Sequence, residues 1–107
     1  MEIKLHQSAL LIEFSDKSAG FTHQIDLTRS EYFILSELFD AEGKHLDKST
    51  LKNAGWPDSY VCDNALTVSI MNLRKKLKEY DRVVKIKTIQ RVGYSLYHPS
   101  NDIIIKL

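Results

Sequence analysis

The residues of this 107-residue chain best suited to chemistry stand between Asn64 and Lys78, in the stretch NALTVSIMNLRKKLK. Leu66, Ile70, Leu73 and Leu77 recur at spacings of four, three and four, which places them along one stripe of a helix and marks that stripe as the core side. About half a turn away lie Asn64, Val68, Met71, Asn72 and Lys75, flanked by Thr67, Arg74 and Lys78. Carboxamides both donate and accept hydrogen bonds in one plane, exposed apolar groups offer shape, and Arg and Lys neutralise anions. That is the chemistry of non-covalent recognition. On its own, the cluster Arg74, Lys75, Lys76 and Lys78 also suits the solvated C-terminal end of a helix, where positive charge is favoured by the dipole.

Bond-making chemistry finds no comparable support. His6, His23, His45 and His98 are scattered without metal-ligand spacing, and no glycine loop is built to cradle a phosphate. No catalytic residue, cofactor or metal is therefore expected. The lone Cys62 excludes an internal disulfide, suits a reducing compartment and is expected to be a small, half-buried apolar residue.

Fifteen Lys and Arg against fourteen Asp and Glu leave almost no net charge, so any preference for a charged partner has to come from distribution. The distribution is uneven. Eight basic residues (Arg74, Lys75, Lys76, Lys78, Arg82, Lys85, Lys87, Arg91) fall between Arg74 and Arg91, against only Glu79 and Asp81. The length fits one domain spanning 1–107, and four Gly and two Pro with 43% hydrophobic residues are the composition of a globular chain. No apolar run approaches the roughly 20 residues of a membrane span, and no signal peptide opens the chain, so a cytoplasmic location is expected.

The elements that must position the recognition face follow from period and punctuation. Ile3–Leu5, Ala9–Phe14 and Phe21–Leu27 alternate well enough for a small antiparallel sheet, with SDKSAG as a turn. Thr28 and Glu31 form a capping-box signature for a first helix from Arg29 to Glu42, with Gly43 placed to end it in a left-handed conformation. Asp47 is placed to cap a short second helix that Gly55 stops, with Leu46 available to staple onto Leu51. WPDSYVC reads as a loop, because Pro57 holds Trp56 extended. The third helix should begin at Asp63, acting as cap, and run to about Tyr80. VVKIKTIQRVGYSLY reads as two strands about a tip at Gln90 to Gly93, with Gly93 supplying a conformation closed to bulkier residues. The tail DIIIKL is open to pairing or fraying. The predicted fold class is α+β: an N-terminal antiparallel β-sheet, three helices and a C-terminal hairpin, in the order of a winged helix-turn-helix.

LTRSEYFILSELF, WPDSYVCDNA, VSIMNLRKKL and KTIQRVGYSL together resemble the effector domain of OmpR/PhoB-type bacterial transcription regulators over nearly the whole chain. The resemblance implies a four-stranded N-terminal sheet, a recognition helix of about 63–80 in the DNA major groove and a wing of about 83–97 at the minor groove. Carried over by position, the DNA-facing places on the helix are Asn64, Thr67, Val68, Ser69, Met71, Asn72, Arg74 and Lys75, with Lys78 beside them; on the wing they are Thr88, Gln90 and Arg91. The loop Trp56, Pro57, Asp58, Ser59, Tyr60 and Val61 would face RNA polymerase, although Trp56 serves equally as a core plug. Pairing head to tail on DNA is a further implication. Asn64, Ser69, Met71, Asn72 and Gln90 stand where many relatives carry basic groups, which lowers the expected non-specific affinity. They also motivate an alternative, a winged helix turned to protein contact through Val68 and Met71. Met1 directly ahead of the first strand is similar to the arrangement in membrane-bound ToxR-like or CadC-like activators, so the expectation extends to the cytoplasmic domain of an inner-membrane protein.

Overall fold

The computed structural model describes residues 1–98 and 103–107. Three N-terminal strands, β1 (Glu2–His6), β2 (Leu11–Asp16) and β3 (Phe21–Asp26), pair antiparallel with Ile3 opposite Phe14 and Leu5 opposite Ile12. All four of those side chains are fully buried, so period-two alternation fixes which face of the sheet meets the helices. In the turn between β2 and β3, Asp16 accepts hydrogen bonds from the backbone of Ser18 and Ala19, and Gly20 takes a φ of 72°.

The helix α1 (Arg29–Asp40) opens on a complete capping box: Thr28 Oγ1 accepts from the Glu31 backbone at 3.2 Å, and Glu31 Oε1 accepts from the Thr28 backbone at 2.8 Å. It ends two residues before the expected Glu42, because both Glu42 and Gly43 adopt left-handed backbone, with φ of 52° and 87°. A two-residue strand, β4 (Leu46–Asp47), follows at once, and Asp47 then caps α2 (Lys48–Gly55) by accepting from Thr50 at 2.7 Å. Strand β4 was not anticipated; two residues carry no periodicity. Gly55 is the last residue of α2, where a Cβ would lie 3.1 Å from the Ile34 side chain of α1, and the chain leaves helical geometry at Trp56, with a φ of −137°.

The helix α3 (Asp63–Lys76) is shorter than expected, and residues Lys78–Tyr80 continue it as a single 3-10 turn. Asp63 is not its cap: Cys62 holds that position without a side-chain cap bond, and it is exposed rather than half-buried. The Asp63 carboxylate instead accepts from Lys52 of α2 at 2.7 Å, with Lys48 nearby at 3.8 Å. Beyond the turn, Tyr80 stacks on Phe14 at 3.8 Å between ring centres, tying the end of α3 to the N-terminal sheet.

The wing is β5 (Lys85–Ile89) and β6 (Gly93–Tyr97), with Ile86 opposite Leu96, and β4 adds to the other side of β6. The positive φ at the tip belongs to Arg91, at 64°, and not to Gly93. Glycine is required at 93 because a Cβ would lie 1.9 Å from the carbonyl oxygen of Leu46 on β4. In the tail, Ile103–Lys106 form β7, which runs parallel to β1 with Ile104 opposite Ile3, while Asp102 lies outside the described residues. The first sheet therefore has the implied four strands, ordered β3-β2-β1-β7, but its fourth comes from the C-terminal segment and makes the sheet mixed. Lys106 secures β7 to α1 by an ion pair with Asp40. No helix among the described residues is long and apolar enough to cross a membrane.

Candidate nucleic-acid interface

Leu66, Ile70 and Leu73 bury the inner stripe of α3, each at 1% exposure or less, which turns the opposite stripe outward. Asn64, Thr67, Val68, Met71, Arg74 and Lys75 are exposed, and Asn72 is half-buried on one flank. Val68 and Met71 keep 39% and 46% of their surface in solvent, a large apolar exposure for the middle of a helix. Ser69 does not belong to this face; it is 7% exposed. At about 100° per residue it stands only about 60° from Leu66, so helix geometry already placed it beside the core stripe. Thr67 turns its hydroxyl back to the Asp63 carbonyl at 3.1 Å.

Arg74 has a more definite task than a free cation on a helix. Its Nε and Nη2 donate to the Ile86 carbonyl of β5 at 3.2 and 2.9 Å, and Nη2 also donates to Thr88 Oγ1 at 2.8 Å. The guanidinium carbon lies 5.9 Å from the centre of the Tyr94 ring on β6. One side chain thus joins α3 to both strands of the wing, and it covers an edge-strand carbonyl that the ladder leaves open. Lys76, counted with the basic cluster from sequence, points inward and pairs with the buried Glu31 at 2.6 Å. Of that cluster, Arg74, Lys75 and Lys78 are exposed, Lys78 on the 3-10 turn. At the wing, Thr88, Gln90 and Arg91 are all exposed, while Lys87 lies over Tyr97 at 5.4 Å.

The α2–α3 connection divides. Trp56 is half-buried and packs on the core, whereas Pro57, Asp58, Ser59 and Tyr60 are exposed, Tyr60 at 98%. The ion pair beneath this connection perturbs both partners. The ammonium of Lys52 holds the Asp63 carboxyl below its usual range, and the same hydrogen bond raises Lys52. Among the described residues, no group of three or more His, Cys, Asp or Glu is placed to hold a metal ion.

Two features of this surface escaped the sequence: the strut made by Arg74 and the inward turn of Lys76. The helical angle of Arg74, on the Thr67 flank, was available, but the side on which the wing would pack was not. Comparison with known proteins gives the wider setting. The GraR response regulator of Staphylococcus saprophyticus is 37% identical over 89 residues, which cover 82% of this chain and 40% of that protein. The chain thus spans well under half the length of this relative. The DNA-binding domain of E. coli CadC superposes with a TM-score of 0.70 at 29% identity, covering 87% of this chain and 83% of that one. The DNA-binding domain of the response regulator AdeR, solved in complex with an intercistronic region, gives 0.72 at 23% identity, over 88% and 92%, and supports the fold. The profile described as "Transcriptional regulatory protein, C terminal" matches residues 22–96, and the chain belongs to that family, the OmpR/PhoB-type winged-helix DNA-binding domains of bacterial transcription regulators, which are not enzymes.

Proposed function

We propose that residues 1–107 form one such domain and bind double-stranded DNA sequence-specifically, with α3 in the major groove and the β5–β6 tip at the adjacent minor groove. The observation that supports this most is the junction of helix and wing: Thr67, Met71, Arg74, Lys75 and Lys78 line one concave surface with Tyr94 of β6, and Arg74 bonds to Thr88 of β5. In this reading Asn72 and Asn64 address adenine edges, and Lys75, Lys78 and Thr88 address phosphates. Such a role places the chain in the cytoplasm. On direct repeats two copies pair head to tail, and Pro57 to Tyr60 face RNA polymerase.

Fluorescence anisotropy with labelled duplexes across a salt series tests the central claim. Lys75→Ala should weaken binding to every duplex and reduce the slope of log affinity against log salt by about 0.9, the share of one phosphate. Asn72→Ala should instead narrow the gap between preferred and random duplexes. Binding that is insensitive to salt, or absent for all duplexes at low salt, would sink the reading and favour protein contact through Val68 and Met71.

A further inference from the structure

The proposed DNA contact leaves the kind of sequence open, and the exposed side chains of α3 bear on it. From Asp63 to Asn72 the helix carries no Arg, Lys or His. Guanine is read in the major groove chiefly by Arg or Lys bound to its O6 and N7, and the first such residue, Arg74, has Nε and Nη2 engaged on the wing. What the base-facing half does present is Asn64, Asn72, Val68 and Met71. A carboxamide matches the N6 donor and N7 acceptor of adenine, and aliphatic surface matches only one major-groove feature, the 5-methyl group of thymine. Thr67 adds its methyl group to the same set, since its hydroxyl is satisfied by the Asp63 carbonyl. At the wing tip Arg91 is exposed on a left-handed residue, a position from which a guanidinium enters a narrow minor groove, and A·T tracts have the narrowest.

We infer that the chain selects a half-site rich in A·T pairs, read in the major groove largely through thymine methyl groups packed on Val68 and Met71. This rests on the DNA-binding reading above. The recognition is apolar at its centre, so it discriminates by fit to a methyl and leaves charge to the periphery at Lys75, Lys78 and Arg91.

Selection of the 107-residue chain against randomised duplexes, followed by anisotropy on the winning duplex and its uracil-for-thymine counterpart, tests the inference. Uracil removes the methyl and keeps every hydrogen-bonding group. The expected result is an A·T-rich winner that loses about fourfold in affinity for each contacted methyl removed. Val68→Ala and Met71→Ala should each shrink the thymine-to-uracil ratio. A G·C-rich winner, or equal affinity for the thymine and uracil duplexes, overturns the inference and leaves DNA binding standing. Failure to bind any duplex at low salt overturns both.

Discussion

Replacing Arg74 by Lys keeps the positive charge and removes the planar fork that reaches Ile86 and Thr88. If Arg74 served only a phosphate, Lys would serve nearly as well. If it holds the wing against α3, Lys and Met should fail alike, because an ammonium offers no planar pair of donors to match the grip of Nε and Nη2 on the Ile86 carbonyl. A hydrogen bond to a charged group is worth about 1.5–3 kcal/mol net when sheltered. Arg74 is exposed, so water replaces much of this, and a loss of about 1 kcal/mol in folding is the reasonable scale, or roughly 4–8 °C in Tm for a domain of this size. The effect on DNA should be larger than the effect on folding. A wing no longer fixed to the helix has to be ordered on binding, and a cost of about 1.4 kcal/mol weakens affinity tenfold. Anisotropy on a selected duplex, with amide hydrogen exchange followed in Lys85–Ile89, reads both consequences. Arg74→Lys should lose affinity with its salt slope unchanged, and exchange in β5 should quicken in both variants. Wild-type affinity and exchange in Arg74→Lys would refute the strut.

Three other perturbations test the frame that presents this surface. Gly93→Ala drives a Cβ into the Leu46 carbonyl, where backbone and not a flexible side chain must yield, so a loss of at least about 1–3 kcal/mol is expected in urea unfolding; unchanged stability would show that β4 is dispensable. Thr28→Ala removes one half of the α1 capping box and should cost about 1 kcal/mol, with Thr28→Ser recovering most of it. Titration of stability should show two limbs. Glu13, held low chiefly by the Gln24 amide, Asp47, held low by the Thr50 backbone, and Asp63, held low by Lys52, all bind protons more weakly folded than unfolded. Their contribution is complete above their unfolded values near about 4 and is lost as pH falls through the folded ones. Lys52, raised by Asp63, contributes fully below its unfolded value near about 10.4, a contribution lost as pH rises through the folded one. Asp63→Asn should therefore flatten both limbs in urea midpoints measured from acid to alkaline pH, and an unaltered alkaline limb would contradict the pairing.

The elements that carry strong periodicity or cap chemistry were legible in the sequence. Leu66, Ile70 and Leu73 determine the core side of α3 by their spacing, while Thr28 and Glu31 start α1 and Asp47 starts α2 through contacts within one turn of chain. What escaped depends on partners distant in sequence. The reason for Gly93 lies at Leu46, the partner of Lys76 is Glu31, and the place of the C-terminal strand beside β1 follows from a pairing across the whole chain. Cys62 and Asp63 show a subtler failure. Asp is the better cap by intrinsic preference, but the pull of Lys52 draws its carboxylate away from the helix end, and the cap position shifts one residue back. On the recognition face, the outward set was readable apart from Ser69, because exposure follows angle once the core stripe is known; which cation joins the wing is decided by the strand that packs beside it.

Asp47 belongs to two structures at once. It pairs with Gly93 in the wing sheet and caps the first turn of α2. The wing is consequently not a detachable module whose boundaries are those of the hairpin. A chimera that imports the hairpin of a relative across 85–97 inherits a sheet whose third strand still belongs to the host, and the seam falls on the Leu46 carbonyl, where there is no room for a side chain. Exchanging specificity between such domains by grafting therefore calls for carrying Leu46 and Asp47 with the hairpin. A short segment lying some forty residues upstream sets the boundary of the transferable unit.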